Sequence, residues 1–148
     1  MGRRSGKSID RDPPAPFSGD ARKSDPPLVQ FGELIHRGPA VVFLWRVTPD
    51  WPVDFVSENV RQFGYSPEDF TSGRVSWVSV THPEDLARLE TEVARYTREK
   101  IPEFHQEYRL LTAAGDIRWV EDHTIAVHDA AGRLTHYQGT ILDVTERK

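Results

Sequence analysis

A change of period at Ile101-Pro102 constrains the fold of this chain more than any other feature. Upstream, Leu86, Leu89, Val93 and Tyr96 step by three, four and three residues, while Glu90, Glu92, Arg95 and Arg98 fall elsewhere. That pattern predicts one helix with a single apolar stripe, ending near Lys100. Downstream, residues 104–112, 117–128 and 134–144 read as three long β-type segments. Their connectors, Ala113-Ala-Gly-Asp116 and Asp129-Ala-Ala-Gly-Arg133, carry the small and acidic residues that tight hairpin turns require. A helix followed by a three-strand meander predicts an antiparallel sheet.

Two further β-type runs precede the helix, residues 41–47 and 53–56, and the turn-rich Thr48-Pro-Asp-Trp-Pro52 joins them as a predicted hairpin. Three helix starts follow in quick succession. Ser57-Glu-Asn-Val60 leads into Phe63. Ser66-Pro67-Glu68-Asp69 has a capping serine, proline at the first helical position and an acid three residues after the cap; Thr81-His82-Pro83-Glu84-Asp85 repeats that grammar. Leu28, Val29, Phe31, Leu34 and Ile35 have roughly helical spacing, closed by Gly38-Pro39, and predict a short N-terminal helix. The expected architecture is α+β: a five-stranded antiparallel sheet with short helices and one longer helix gathered on one face.

Five of the eleven prolines lie at or before Pro27, among Arg, Lys, Asp and Ser, so residues 1–27 are expected to be a flexible tail or linker and residues 28–148 the domain. A formal net charge of -4 argues against a nucleic-acid module with a broad basic surface, and no long uncharged apolar run could span a membrane. Arg3, Arg4 and Lys7 are not followed by the apolar core of a secretory signal. A cytoplasmic location is expected. With no cysteine, a disulfide, a thiolate zinc site, an iron–sulfur cluster and a cysteine nucleophile are all ruled out.

No phosphate-cradling glycine loop, nucleophile elbow or metalloprotease helix motif is present, and catalysis is not expected. His82-Pro-Glu-Asp85 reads as a helix cap and Glu121-Asp122-His123 as the solvent face of a strand. The suggested turns put His105 beside Thr124 and diagonal to His123, a pair suited to a transition metal but with no carboxylate obviously added to it.

The order of elements, with Phe55-Val-Ser-Glu-Asn59, residues 63–70 (FGYSPEDF), Thr81-His-Pro-Glu-Asp85, Tyr108-Arg109, residues 115–120 (GDIRWV) and residues 139–148 (GTILDVTERK), resembles a PAS domain of the kind found in bacterial sensor proteins. No single motif carries the likeness; their joint order does. The resemblance implies a ligand pocket between the inner sheet face and the short helices, for which Phe43, Trp45, Phe55, Trp77, Tyr108, Trp119 and Ile141 are the candidates. Plain core packing is the competing reading of each. It implies that Asp143 and Thr145 form the Asp-x-Thr motif that ends the last strand, and that residues 145–148 begin an exit helix to a downstream output domain. It also implies homodimerisation, for which Phe31, Leu34 and Ile35 would serve either as contact residues across a partner's sheet or, alternatively, as a cap on their own sheet.

The ligand is left open between an unidentified small molecule and none. Haem is an alternative, with His82 as the axial ligand. Non-covalent flavin is another, although the light-sensing adduct needs a cysteine and the position of the flavin-binding glutamine is occupied by Ile141.

Overall fold

A computed structural model describes residues 33–148; the expected tail, and Phe31 with it, lie outside the described residues. Residues 33–37 are helical. Five strands follow: β1 Val41–Arg46, β2 Val53–Val56, β3 Glu103–Leu111, β4 Ile117–His128 and β5 Leu134–Asp143. Between β2 and β3 lie a 3-10 segment, Glu58–Phe63, and three helices, α1 Pro67–Thr71, α2 Trp77–Val80 and α3 Pro83–Arg98. The sheet order is β2-β1-β5-β4-β3 and every neighbouring pair is antiparallel. The expected α+β architecture is therefore the observed one.

Local chemistry explains the element boundaries. Ser66 Oγ accepts from the Asp69 amide at 3.2 Å and the Asp69 carboxylate accepts from the Ser66 amide at 2.8 Å, a reciprocal capping box with proline at the first helical position. At α3 the cap is His82 itself, whose Nδ1 accepts from the Glu84 amide at 3.1 Å. In the Ser57-Glu-Asn59 motif, the Asn59 amide group donates to the carbonyls of Ile35, Gly38 and Ala40. Ser57 Oγ, fully buried, accepts from the Val42 amide at 2.8 Å. This motif fastens residues 35–40 to the start of β1.

Alternation along the strands sorts side chains onto two faces. The inner face carries Val41, Phe43 and Trp45 of β1, Phe104, Tyr108 and Leu110 of β3, Val120 of β4, and Tyr137 and Ile141 of β5, all buried. Phe70 of α1, Trp77 of α2 and Leu89 of α3 belong to the same core. Phe43 and Trp45 stack with centroids 5.2 Å apart, and Trp77 tilts against both at 4.6 and 5.2 Å. Such offset and tilted rings gain contact beyond their buried area. Gly139 sits beneath Trp45, where a Cβ would meet the indole at 2.5 Å, so this inward position of β5 must lack a side chain for Trp45 to lie flat.

One register differs from expectation. Thr112 N donates to Asp116 O at 2.8 Å and Gly115 adopts φ 93°, so the β3–β4 connector is Ala113-Ala-Gly115 and Asp116 joins the ladder. His105 therefore stands opposite His123, with Phe104 opposite Thr124.

Candidate ligand site and its link to the chain exit

Between the inner face and α3 lies a cavity of about 30 Å³, lined among others by Trp45, Trp51, Trp77, Leu89, Gln106, Tyr108, Asp122, Thr124 and Tyr137. Its polar side is built on β3 and β4. Tyr108 Oη donates to Asp122 Oδ2 and Thr124 Oγ1 donates to Asp122 Oδ1, both at 2.6 Å. Asp122 is 4% exposed, and burial pushes its carboxyl up to about 6 despite the hydrogen bonds from Thr124 and Tyr108 that favour the ion. The Tyr108 hydroxyl is held well above its usual range by burial and by the carboxylate it faces. Trp45 Nε1, also buried, finds no acceptor among the described residues. An unpaired buried donor of this kind costs about 1–3 kcal/mol.

Of the expected pocket residues, Trp45, Trp77 and Tyr108 line this cavity. Phe43 supports it from behind by stacking on Trp45. Ile141 is fully buried on the inner face but does not line the cavity. Phe55 and Trp119 require correction. Phe55 is 41% exposed and meets His36 edge-on, because β2 shifts register opposite Leu44/Trp45 and turns this ring outward. Trp119 has the opposite parity to Val120 and lies on the outer face. Asp122, Thr124, Gln106 and Trp51 were not anticipated. The same parity that makes Val120 inward also assigns Asp122 and Thr124 to the core, overruling the solvent-face reading of Glu121-Asp122-His123.

The cavity is too small for the aromatic cofactors considered. A space of 30 Å³ holds one or two waters, whereas pockets for drug-sized ligands run to roughly 300–1,000 Å³. His82, the haem candidate, does not line it and spends Nδ1 on the α3 cap. As packed, these residues fit neither haem nor flavin.

The end of the chain is fastened to the outer face. Thr145–Arg147 form a 3-10 turn where an exit helix start was expected. Asp143 Oδ1 accepts from the Thr145 amide at 2.9 Å and from the Thr145 hydroxyl at 2.6 Å, while that hydroxyl accepts from the Trp119 amide at 2.9 Å. Val144 N donates to Trp119 O at 2.8 Å. The Trp119 ring has Lys148 Nζ 4.7 Å and the Arg109 guanidinium 5.3 Å from its centroid.

Arg109 in turn grips Asp85 in the first turn of α3. Its Nε and backbone amide donate to Oδ2 at 3.0 and 2.9 Å, and its Nη2 donates to Oδ1 at 2.8 Å. Hydrogen bonding from Arg109 holds the Asp85 carboxyl below its usual range. Packed side chains thus run from the cavity-lining helix to the chain exit.

Comparison with known proteins agrees with this geometry. A family model described as PAS fold matches residues 53–141. The Methyl sulfide methyltransferase-associated sensor of Methanosarcina acetivorans is 47% identical over 115 residues, covering 78% of this chain and 12% of that protein. The chain therefore spans about an eighth of the length of this curated relative. The crystal structure of a PAS domain from Colwellia psychrerythraea superposes with a TM-score of 0.68 at 17% identity, covering 81% of this chain and 98% of that one. An RNA-binding Light-Oxygen-Voltage Receptor superposes with a TM-score of 0.64 at 24% identity, covering 90% and 38%. The chain belongs to the PAS-fold family, and it is a module of the sensory signalling class.

Proposed function

We propose that this PAS domain is a non-catalytic sensory and regulatory module of a larger cytoplasmic signal-transduction protein, in which a small ligand at the Trp45 cavity changes the direction of the chain exit. The observation that carries the reading is the Trp45 Nε1–H, without an acceptor among the described residues, at a cavity that also presents Asp122, Thr124 and Gln106. A ligand with an acceptor for the indole and a donor for the carboxylate would satisfy both. Any ligand larger than water must move a wall. Trp51 is the candidate wall, because it also lines two surface grooves of about 320 and 460 Å³ and sits on a backbone with φ 49°. Non-glycine residues in that region carry about 1–3 kcal/mol of strain.

The route outward follows from the contacts. Leu89 and Val93 of α3 line the cavity, Asp85 of the same helix holds Arg109, Arg109 lies against Trp119, and Trp119 holds Thr145. Only a ligand with different affinity for the two arrangements can shift them. Asp143 and Thr145 are the coupling residues in this reading. Kinases, cyclases and transcription regulators are the output domains considered.

Dimerisation is a second element of the proposal. Leu34 is exposed, and Phe55, Ile117 and Ile125 add exposed apolar surface. Pairing through Phe31, Leu34 and Ile35 would give a homodimer in which the exit segments move together.

Native mass spectrometry and absorption spectroscopy of freshly purified protein test the ligand arm. A bound small-molecule mass that is lost in Trp45→Phe supports the reading; no bound mass, and no molecule in a metabolite screen that shifts the melting temperature, overturns it. In the intact parent, Thr145→Ala should uncouple output from input while the melting temperature moves little, and unchanged regulation in Thr145→Ala and Asp143→Ala would remove the coupling role.

A further inference from the structure

Beyond the sensory reading, and independent of it, we propose that Glu103, His105 and His123 form a binding site for a divalent transition-metal ion, with Zn²⁺ the natural occupant, on the outer face of the sheet. The period of two along β3 puts Glu103 and His105 on one face, and the three-residue turn that shifts the β3–β4 register sets His123 opposite His105. The two imidazole rings lie 4.2 Å apart and within 7° of parallel. The Glu103 carboxylate contacts His123 Nε2 directly. One ligand atom from each residue lies within 4.8 Å of the other two.

Zinc takes nitrogen and oxygen donors at about 2.0–2.2 Å, which places ligand atoms of a tetrahedral site roughly 3.3 Å apart. The widest pair of ligand atoms must therefore close by about 1.5 Å at most, and Glu103 and His123, already in contact, must open to admit the ion, movements available to side chains that are exposed or half-buried. The donor set is selective. Two neutral imidazoles and one carboxylate suit zinc, nickel, cobalt and copper, whereas magnesium and calcium take oxygen ligands.

The neighbouring carboxylates on this face are committed elsewhere. Glu107 pairs with Lys148 at 2.6 Å and Glu121 with Arg147 at 3.6 Å. Glu103 is the acid turned to the histidines. An ion held by these three ligands would tie the edge strand β3 to β4 and leave one coordination position for water or an external donor.

The test is calorimetric titration of the tag-free protein with ZnCl2 in a non-chelating buffer near neutral pH, beside melting curves with and without the ion and a cobalt titration read by visible absorption. The proposal expects one saturable site with micromolar dissociation constant and a melting temperature raised by a few degrees, because the ion binds the folded state. It also expects the d–d bands of four-coordinate cobalt. MgCl2 should change nothing. His105→Ala and His123→Ala should each weaken zinc binding by about tenfold or more, while His128→Ala, an exposed histidine at the end of β4, should bind as wild type does. Both ligand positions are on the surface, so metal-free melting curves of the variants should match wild type and separate lost binding from lost fold. No saturable zinc binding by wild type, or wild-type affinity in both ligand variants, would overturn the proposal.

Discussion

Asp122 and His123 are adjacent on β4 and belong to different solvents. Asp122 points into the core, where Tyr108 and Thr124 supply its hydrogen bonds and burial keeps its proton on up to about 6. His123 points outward, beside His105 and the Glu103 carboxylate. The same alternation separates Phe43, stacked in the aromatic core, from Phe55, which is partly exposed and meets His36 edge-on. The inner face is buried, aromatic and nearly full; the outer face is polar and carries the end of the last strand. If the core generates a signal as proposed, it must cross the sheet, and the Asp85–Arg109–Trp119 contacts are where the two faces meet.

The largest expected effect sets the two faces against each other with one chemical change. Phe43→Ala should cost about 3–5 kcal/mol and Phe55→Ala less than about 1 kcal/mol in urea denaturation, since only the first leaves a cavity in packed surroundings. Equal costs would break the distinction between the faces.

The next effect sharpens it through pH. The folded protein keeps the Asp122 proton up to about 6, whereas the unfolded chain releases it near the ordinary value of 3.8. The native state therefore binds more protons across that window, and the contribution of Asp122 to stability falls as pH rises from about 4 to about 6, then stays level. Asp122→Asn removes the slope. Its stability relative to wild type should rise by about 2 kcal/mol between pH 4 and pH 7, measured by denaturant melts at both ends.

Gly139→Ala should cost about 1–3 kcal/mol, because the added Cβ meets the Trp45 indole where the ring cannot retreat from its stack. Smallest is Lys148→Ala on the outer face. The ion pair with Glu107 and the contact with Trp119 are half-exposed, and together they should contribute less than about 1 kcal/mol while Trp119 fluorescence shifts.

Much of the fold was legible because its signals are local. Periodicity located the α3 stripe and all five strands to within a residue or two, and Ser66-Pro-Glu-Asp69 announced its capping box. What escaped was set by pairing across the chain. The identity of the turn residue Gly115 was visible, but whether Asp116 belonged to the turn or the ladder decided the register, and with it the meeting of His105 and His123. The shift in β2 that turns Phe55 outward had no mark in the sequence. Trp119 differs for another reason: the resemblance offers it as a pocket residue, whereas parity with the inward Val120 beside it puts it on the outer face. Asp122 likewise has a residue type that reads as solvent-facing and a parity that places it in the core.

The central claim is that the state of the inner face reaches the chain exit, and amide NMR across a pH titration from 4.5 to 7.5 tests it most directly. The account predicts that the Thr145 and Arg147 amides shift with a midpoint near 6 in the wild-type domain. That transition should disappear in Asp122→Asn. Exit amides that ignore pH in this range, or that follow the same curve in Asp122→Asn, would contradict it.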